Sequence, residues 1–395
     1  MRNSLGPLLR RGMVGVFSLA SLWAPGGPAA AAPAMPTTST TSTTTTSTTS
    51  STAPTASAPS PAPAAEAESL AFTQRYRALQ HGGIVRAANS SITCRRPVER
   101  SAASCPAARE GRAAANDDND DFEMFYIDVD NDPNTYNSSR AEVRPPAGAR
   151  VSYARLYWGG NLRVGEQKPP KDNGRVLIAE PGGQYKEVLA DTVVGHRVAH
   201  GADAFQASAD VTRLVRSSGA GAYTVAQVNV AMGHSAAGAW GGWTLMVAYE
   251  KASEPLRHLA MWDGFDPLGA GGGQTVRLPG MRFPKGAEGR AGLVAYNGDR
   301  GRTGGSLTLS AGGLTTRLAD GANPRDDVLN STISDPGRTA PGRTPAYPNT
   351  LGYDSDVFAL DKGLRRGGDR LDLRLVSPRD TAWAGALFVA VDAKR

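Results

Sequence analysis

The chain has 395 residues, including 46 glycines, 27 prolines and two cysteines, with 40% hydrophobic and 20% charged residues. This balance excludes a disulfide-rich miniprotein, a coiled coil and a multispanning membrane protein. The formal charge of +6 would by itself indicate nucleic acid or an anionic surface as a partner. However, no cluster of lysine and arginine with interleaved aromatic residues accompanies this charge, so no nucleic-acid partner is predicted.

Residues 1–34 have the pattern of a secretory signal peptide. Three arginines make a basic start, Met13–Trp23 forms a short apolar core, and Ala29–Ala34 offers small residues for cleavage. Removal of these arginines lowers the formal charge from +6 to +3. The apolar core is too short to cross a bilayer as a helix, and no second run of that length follows. We therefore expect a secreted, extracellular protein with no transmembrane segment in the mature chain.

Residues 35–69 are predicted to form a disordered stalk. Serine and threonine fill positions 37–52 without interruption, and a segment rich in alanine, proline and serine follows. Such a segment has little apolar surface to bury, so it cannot offset the entropy lost on ordering. Its composition is typical of an O-glycosylated spacer or of a plain low-complexity linker, and the sequence leaves both alternatives open.

Cys94 and Cys105 are the two cysteines of the chain. In an exported protein, two cysteines this close in sequence most simply pair with each other. Neither is flanked by histidine or further cysteine at the spacing of metal ligands. A structural disulfide is predicted.

The rest of the chain reads as many short strands bounded by glycine, proline, asparagine and aspartate. Their spacing of about ten residues favours a sandwich or barrel over βαβ units. Two helices are predicted, at Leu70–Gln80 and at Asp210–Arg216, the second with Asp210 as its N-cap. The predicted strands are Glu123–Val129, Val151–Trp158, Arg175–Ala179, Tyr223–Val230, Trp243–Tyr249, Leu256–Trp262, Thr275–Leu278, Ala291–Tyr296, Ser306–Ser310, Arg370–Val376 and Ala384–Val391.

The predicted fold class is therefore all-β, with few short helices. Because about 320 residues is large for one sandwich, we expect two packed antiparallel β-sandwiches of jelly-roll-like form. Lys251–Pro255 interrupts two apolar strands, which places the boundary between them. The predicted division is residues 70–252 for the first sandwich and 253–395 for the second.

Six segments of this region, taken in order, resemble one family. They are Phe122–Asp130, Ala154–Gly160, Asp210–Val215, Gly241–Glu250, Trp262–Phe265 and Asn349–Phe358. Together they are similar to the uncharacterised N-terminal β-rich module of secreted or surface proteins of high-GC Gram-positive bacteria, which often precedes repeat domains of unknown function. The resemblance covers nearly all of residues 84–392. It implies an extracellular surface protein and supplies no catalytic residues. Because this chain departs from the longer members in lacking downstream repeats and an anchor, we expect the mature protein to be released or to be held at the cell wall by non-covalent contacts.

Asp128, Asp130 and Asp132 form the most suggestive acidic motif. Carboxylate oxygens at this density suit Ca²⁺, which takes six to eight oxygen ligands. The motif begins like an EF-hand loop but then departs from it, since Pro133 replaces the required glycine and Ser139 stands where the bidentate glutamate should be. A calcium site at these three aspartates is the specific prediction, and a solvated acidic turn is the alternative.

Catalytic motifs are incomplete. Gly233–Ala237 nearly matches a nucleophile elbow around Ser235, but no helix follows it. His196 and His200 have the spacing of zinc ligands on a helix, yet glycines bracket them. Asp263, Asp266, Asp354 and Asp356 would be the carboxylates of a glycoside hydrolase if the fold brought two of them together across a cleft.

The sequence thus predicts a non-catalytic protein for extracellular interaction or envelope architecture, with no cofactor beyond the predicted calcium. Its expected partner is an extracellular or cell-wall component, with a glycan as the specific candidate. Trp240, which lies next to glycine-rich sequence, is predicted to be exposed and to stack against sugar. The alternatives are a secreted carbohydrate-active hydrolase and a lectin-like glycan-binding module.

Overall fold

The computed structural model of the chain describes residues 62–112, 118–269 and 272–394, which belong to one compact unit. Strands dominate these residues, which confirms the all-β class. The strands are β1 Glu66–Ala67, β2 Leu70–Ser90, β3 Ile92–Pro97, β4 Phe122–Tyr126, β5 Ser138–Val143, β6 Arg150–Asn161, β7 Arg175–Ala179, β8 Lys186–Leu189, β9 Thr192–Ala199, β10 Ala202–Asp210, β11 Gly221–Ala226, β12 Gly241–Glu250, β13 Leu256–Pro267, β14 Gln274–Phe283, β15 Gly289–Tyr296, β16 Ser306–Ala311, β17 Leu314–Arg317, β18 Ile333–Asp335, β19 Arg338–Thr339, β20 Arg343–Thr344, β21 Tyr353–Ala359, β22 Gly368–Val376 and β23 Trp383–Asp392. The α-helices of the described residues are α1 Cys105–Arg109, α2 Thr212–Ser218 and α3 Asp361–Leu364.

A large sheet runs through both halves of the fold. Its twelve strands lie in the order β1-β9-β10-β6-β12-β2-β13-β23-β15-β21-β18-β19. A five-stranded sheet, β20-β5-β11-β7-β8, and a four-stranded sheet, β14-β22-β16-β17, accompany it, and β3 pairs with β4. Pairing is antiparallel except at β1–β9 and β18–β21.

Three apolar clusters explain why the central strands read as continuous apolar runs. Trp243, Leu245 and Val247 of β12 face a cluster shared with the five-stranded sheet, while Met246 and Ala248 point to the opposite side. A second cluster lies between the large sheet and the four-stranded sheet. The third joins the opposite face of both halves of the large sheet. The central strands are therefore buried on both faces, as a strand between two layers must be.

The predicted helix at Leu70–Gln80 is wrong, because this segment forms the first half of β2. Residues up to His81 pair with β13, and residues from Gly82 onward pair with β12. Helix propensity is a weak prior, and here the pairing of the segment with β13 overrides it. The second predicted helix is confirmed as α2, with Gly219 at its end (φ of +73°), but the prediction of Asp210 as N-cap is wrong, because the helix begins at Thr212 and Val211 is its N-cap.

The predicted boundary at Lys251–Pro255 is a turn between β12 and β13, but it does not separate two independent domains. β2 lies between these two strands and is hydrogen-bonded to both. In addition, β20 at Arg343–Thr344 pairs with β5 of the first half. The two sandwiches thus share strands, and a cut of the chain at residue 252 would leave open sheet edges in each.

The predicted signal peptide and most of the predicted stalk lie outside the described residues. The end of the stalk, however, is ordered: Glu66–Ala67 forms β1, which pairs with Val193–Val194 of β9. The Ala64 amide also donates to the Ala190 carbonyl at 3.0 Å. The prediction of disorder is therefore wrong for residues 62–69, where tertiary pairing offsets the entropy of ordering.

The predicted disulfide between Cys94 and Cys105 is present and joins β3 to the start of α1. The Cα atoms lie 5.7 Å apart, within the usual range. Both cysteines are buried in the cluster shared with the five-stranded sheet. The bond therefore ties a short helix, which could not persist alone, to the first core.

We expect that Cys94→Ala/Cys105→Ala lowers the free energy of unfolding by about 3 kcal/mol, because the unfolded chain regains the entropy of the closed loop. Urea denaturation with and without reductant measures the loss. The reductant should act on the wild-type protein and leave the double variant unchanged. Equal stability of the two proteins under oxidising conditions would contradict this structural role.

Candidate functional site

The three aspartates of the predicted calcium motif lie in the loop between β4 and β5. Each accepts hydrogen bonds from its own donors: Asp128 from the Ser138 hydroxyl at 2.8 Å, and Asp132 from the Asn134 amide at 2.9 Å. Asp130 accepts from the Asp132 amide at 2.8 Å. Over the described ranges, no three histidine, cysteine, aspartate or glutamate side chains meet in a group that would hold a metal ion.

Asp130 has the most contacts of the three aspartates. It also accepts hydrogen bonds from the hydroxyls of Tyr185 and Thr135. Its partial burial opposes ionisation, but these hydrogen bonds outweigh burial and hold its pKa below the ordinary value.

Calcium binding at these aspartates stays a prediction. A chelator should lower the melting temperature of the wild type but not that of Asp128→Ala/Asp130→Ala. An unchanged melting temperature of the wild type with chelator would contradict calcium binding.

Trp240 is fully buried, so its predicted exposure is wrong. Its indole N–H donates to the Ala237 carbonyl at 3.2 Å. Its ring lies 6.0 Å from that of Tyr296 and 6.5 Å from that of Trp383, measured between centroids. Burial of a large aromatic side chain in the apolar core is favourable, and the glycines next to Trp240 in the sequence do not prevent it. It is unavailable as a sugar-stacking surface.

We expect Trp240→Ala to lower the free energy of unfolding by about 3–5 kcal/mol through the cavity it leaves. Any ligand binding by the folded variant at low temperature should equal that of the wild type. Thermal denaturation and a binding measurement on the same sample test both statements. Lost binding with unchanged stability would instead support the stacking role.

The four carboxylates considered for hydrolysis are not brought together. Asp263 and Asp266 lie on β13, whereas Asp354 and Asp356 lie on β21, with β23 and β15 between these strands. Asp263 is fully buried and contacts Arg75 at 2.5 Å and Arg155 at 3.3 Å. Burial raises its pKa although both arginines oppose the rise. Through these contacts Asp263 of β13 is linked to β2 and β6 within the large sheet.

Asp354 and Asp356 are fully buried beneath the segment that contains β18. Oδ1 of Asp356 accepts hydrogen bonds from Thr332 Oγ1 at 2.9 Å and from the amide and hydroxyl of Ser334 at 3.0 and 2.7 Å. Oδ1 of Asp354 accepts from the Thr332 amide at 3.1 Å. Burial raises the pKa of Asp354 well above its ordinary value and that of Asp356 to about 7.

The other predicted catalytic or metal residues are not assembled into a site in the described structure. Ser235 lies in the loop before β12, as expected from the absence of a helix. His200 lies in the turn between β9 and β10 with φ of +53°, and the side chain of His196 lies outside the described part. No helix among the described residues combines the length and apolar character needed to cross a membrane.

The structure instead reveals a cavity of about 160 Å³ that is rich in arginine. Four arginines from different parts of the chain line it: Arg86 of β2, Arg144 after β5, Arg290 of β15 and Arg343 of β20. Only two carboxylates, those of Glu142 and Asp335, share its wall. The remaining wall is mainly apolar, from residues of β2, β21 and β23. Positive charge therefore exceeds negative charge in a partly apolar recess.

Arg86 and Arg343 are the buried arginines of this cavity, which we call the arginine cavity. The Arg86 side chain is 4% exposed and Arg343 is 6% exposed. Arg86 donates to the Ser334 carbonyl and lies 3.7 Å from Asp335. Arg343 donates to two carbonyls, one of them that of Tyr347 at 2.9 Å. Nevertheless, Nε of Arg86 and Nη1 of Arg343 have no acceptor among the described residues.

The electrostatics of the arginine cavity are unfavourable without a ligand. Burial lowers the pKa of Arg86 despite the nearby Asp335 and Asp356. Burial and then the charge of Arg86 lower the pKa of Arg343 to about 10. Each N–H left without an acceptor adds a desolvation cost of about 1–3 kcal/mol. An anion in the cavity would offset the first cost, that of the two buried charges.

A wider groove adjoins the arginine cavity. It measures about 490 Å³ and shares Ile84, Val85, Arg144 and Arg290 with the cavity wall. Its further polar lining consists of Glu254, Arg257, Glu288 and Asp361. Arg144 and Arg290, both exposed, stand where the groove and the cavity meet. The combined surface offers room for an extended polar ligand with one end in a basic recess.

The sequence contains one signal for this site, in strand β2. Arg86 interrupts the apolar run Ile84–Ala88, and an arginine within an apolar strand is expected to be paired or functional. Arg343 has no comparable signal, because it sits in a segment rich in proline and glycine. Its approach to Arg86 depends on the pairing of β20 with β5.

Comparisons with known proteins give no family for this chain. No family model matches it, and no curated protein matches it. Among solved structures, BuGH86 in complex with neoagarooctaose is 10% identical, covers 62% of this chain and 33% of its own, and has a TM-score of 0.23. The major capsid protein P2 of bacteriophage PM2 is 12% identical over 79% of this chain and 98% of its own, with a TM-score of 0.17.

PNGase F, a glycosylasparaginase from Flavobacterium meningosepticum, is a further similar structure. It is 12% identical over 68% of this chain and 95% of its own, with a TM-score of 0.16. The chain spans about a third of the length of BuGH86. Likenesses at these TM-scores carry no conclusion about fold or activity.

Proposed function

We propose that this protein is a secreted, non-catalytic module that binds an acidic polymer of the extracellular surface or cell wall. The observation that carries the proposal is the arginine cavity, whose wall holds four arginines against two carboxylates. Arginine is favoured for recognising carboxylate and phosphate groups because its guanidinium offers several fixed donors. The leader-like N-terminus and the resemblance to the bacterial surface module support the extracellular location.

The groove beside the cavity supports an extended ligand over a small one. Its lining mixes arginine with glutamate and aspartate, which suits hydroxyl and amide groups as well as charge. A glycan that bears anionic groups has both kinds of chemistry. The polymer would lie along the groove and place one anionic group in the arginine cavity.

A binding screen of the full-length protein against acidic and neutral polysaccharides and isolated cell-wall polymers tests this function. The matched variants are Arg144→Glu/Arg290→Glu at the groove and Arg213→Glu/Arg370→Glu at exposed positions elsewhere. All four side chains are exposed, so folding should be unaffected in both variants. We expect the groove variant to lose binding at least about tenfold and the control to retain it.

Two results would contradict the proposal. Failure of the wild type to bind acidic polymers better than neutral ones would remove the proposed ligand class. Release of shorter products from a bound polymer, measured in the same samples, would show catalysis and favour the hydrolase alternative.

A further inference from the structure

The outer face of the four-stranded sheet, β14-β22-β16-β17, carries exposed arginines. The leucines of β22 point into the apolar cluster shared with the large sheet, and the side chains between them point to solvent. Arg374 of β22, Arg277 of β14 and Arg317 of β17 are exposed on this outer face. Hydroxyl side chains lie among them, and the hydroxyls of Ser310 and Thr315 are 3.2 Å apart. The face is therefore polar and positively charged.

The strand register sets the spacing of these three arginines. Arg374 is opposite Thr308 of β16, and Thr308 is opposite Arg317, so two strand spacings, about 10 Å, separate the two arginines. Arg277 is opposite Asp372, two residues from Arg374 on β22, and this diagonal relation places Arg277 about 7–8 Å from Arg374. The three charges therefore spread over the face instead of converging on one point.

The charge of these three arginines is not neutralised within the described part of the chain. No carboxylate there lies within salt-bridge distance of Arg277, Arg317 or Arg374. Asp372 is the carboxylate on this face, and it accepts two hydrogen bonds from Arg370, at 3.1 and 2.7 Å. With this pair counted as neutral, the outer face has a formal charge of +3.

A second group of cations continues the positive charge at the end of β14 and β22. An open recess there is lined by one acidic residue, Asp369, and by four exposed basic residues, Arg282, Lys285, Arg366 and Lys394. Among the described residues, none of these four cations has a carboxylate within salt-bridge distance. Positive charge therefore extends along the strands as well as across them.

We infer that this basic surface, the outer face of the four-stranded sheet with the recess at its end, binds an anionic lipid bilayer. Charges that spread in two directions over a sheet face meet a plane of phosphate groups together, whereas a single polymer chain reaches only those along one line. The exposed large apolar side chains of the described residues, none of which belongs to this sheet, are Leu79, Val98, Phe125, Val198 and Met232. Binding is therefore electrostatic and peripheral, without insertion among the acyl chains.

The basic surface and the arginine cavity lie on opposite sides of the large sheet. Leu387 and Val389 of β23 face the four-stranded sheet, whereas Phe388, between them, points to the other side and lines the cavity. One molecule can therefore hold lipid on one side and an acidic polymer on the other. The inference goes beyond the proposed function and does not depend on it.

Co-sedimentation of the full-length protein with lipid vesicles tests the inference. The vesicles contain equal parts of phosphatidylglycerol and phosphatidylcholine, or phosphatidylcholine alone. We expect binding to the anionic vesicles that weakens steeply as the salt concentration rises, and little binding to the neutral ones. Absence of binding, or equal binding to both kinds of vesicle, would overturn the inference, because apolar insertion needs no lipid charge.

Two triple variants test the location of the lipid surface: Arg277→Gln/Arg317→Gln/Arg374→Gln and, as matched control, Arg100→Gln/Arg163→Gln/Arg213→Gln. All six side chains are exposed, and both variants lose the same formal charge and keep the same N-terminal segment. We expect the first to weaken binding to anionic vesicles at least about tenfold, and the control to stay within about twofold of the wild type. Equal effects of the two variants would overturn the site. If the first does not fold, Arg374→Gln alone should weaken binding about threefold, and unchanged binding would overturn the site.

The lipid surface and the proposed function fail in different ways. The variant of the sheet face should bind acidic polysaccharide as the wild type does, and lost polymer binding with unchanged vesicle binding would overturn the lipid surface. A protein that binds anionic vesicles through these arginines but no acidic polymer would retain the lipid surface and lose the proposed function. A protein that binds acidic polymer through the groove but no anionic vesicles would retain the function and lose the lipid surface.

Discussion

Gly82→Ala should lower the free energy of unfolding by about 3–5 kcal/mol, because the alanine would strain the backbone and its Cβ atom would overlap neighbouring backbone atoms. Gly82 lies where β2 changes its pairing from β13 to β12, with φ of +152°. A Cβ atom there would come within 2.9 Å of the Tyr249 carbonyl carbon and closer still to its oxygen. Both are backbone atoms of a paired strand, so they cannot move aside without separating β12 from β2.

The matched control is Gly148→Ala. Gly148 also has a positive φ, +77°, but nothing lies within 4 Å of the position that a Cβ would occupy. This variant should lose only about 1 kcal/mol of stability, which comes from the strain of an alanine in this backbone conformation. Urea denaturation of both variants measures the difference. Equal losses would show that the large sheet relaxes around Gly82 and that close approach is not the reason for glycine there.

Asp356→Asn should remove part of the pH dependence of stability. Burial raises the pKa of Asp356 to about 7 in the folded protein, whereas an unfolded aspartate titrates near 4. Between these values the folded chain binds a proton that the unfolded chain has released, so stability falls as pH rises from about 4 to about 7. The asparagine does not titrate, and its Oδ1 can still accept the hydrogen bonds from Thr332 and Ser334.

Relative to the wild type, Asp356→Asn should therefore gain stability across this range, by an amount on the order of 2–4 kcal/mol. Chemical denaturation at pH 4, 5, 6, 7 and 8 measures the difference between the two curves. Asp369→Asn, at an exposed position, is the control and should follow the wild type. A constant difference between wild type and Asp356→Asn at every pH would contradict the raised pKa.

Much of the strand pattern could be predicted from the sequence. Arg175–Ala179 matches β7, and the predicted Trp243–Tyr249 lies within β12. Such segments are apolar, rich in residues that favour strands and bounded by turn residues, so local propensity and tertiary pairing agree. The disulfide was also predictable, because only one pairing exists for two cysteines.

The candidate site could be predicted only in part. Arg86 carries a local signal, since a charge within an apolar strand needs a partner. Arg343, Arg144 and Arg290 carry none, because their meeting depends on strands that are distant in sequence. In the sequence, Asp354 and Asp356 likewise look like polar residues at the end of a strand. The pairing of β18 with β21 is not visible there.

By itself, the sequence determined the all-β class, the disulfide, helix α2 and most of the central strands, because these depend on side-chain periodicity, turn residues and composition within short segments. The tertiary structure alone decided that Leu70–Gln80 is a strand, that Trp240 is buried and that the two sandwiches share β2. It also brought the four arginines together. Each of these outcomes arises from contacts between residues far apart in the chain, and such contacts override local propensity whenever burial and strand pairing contribute more free energy.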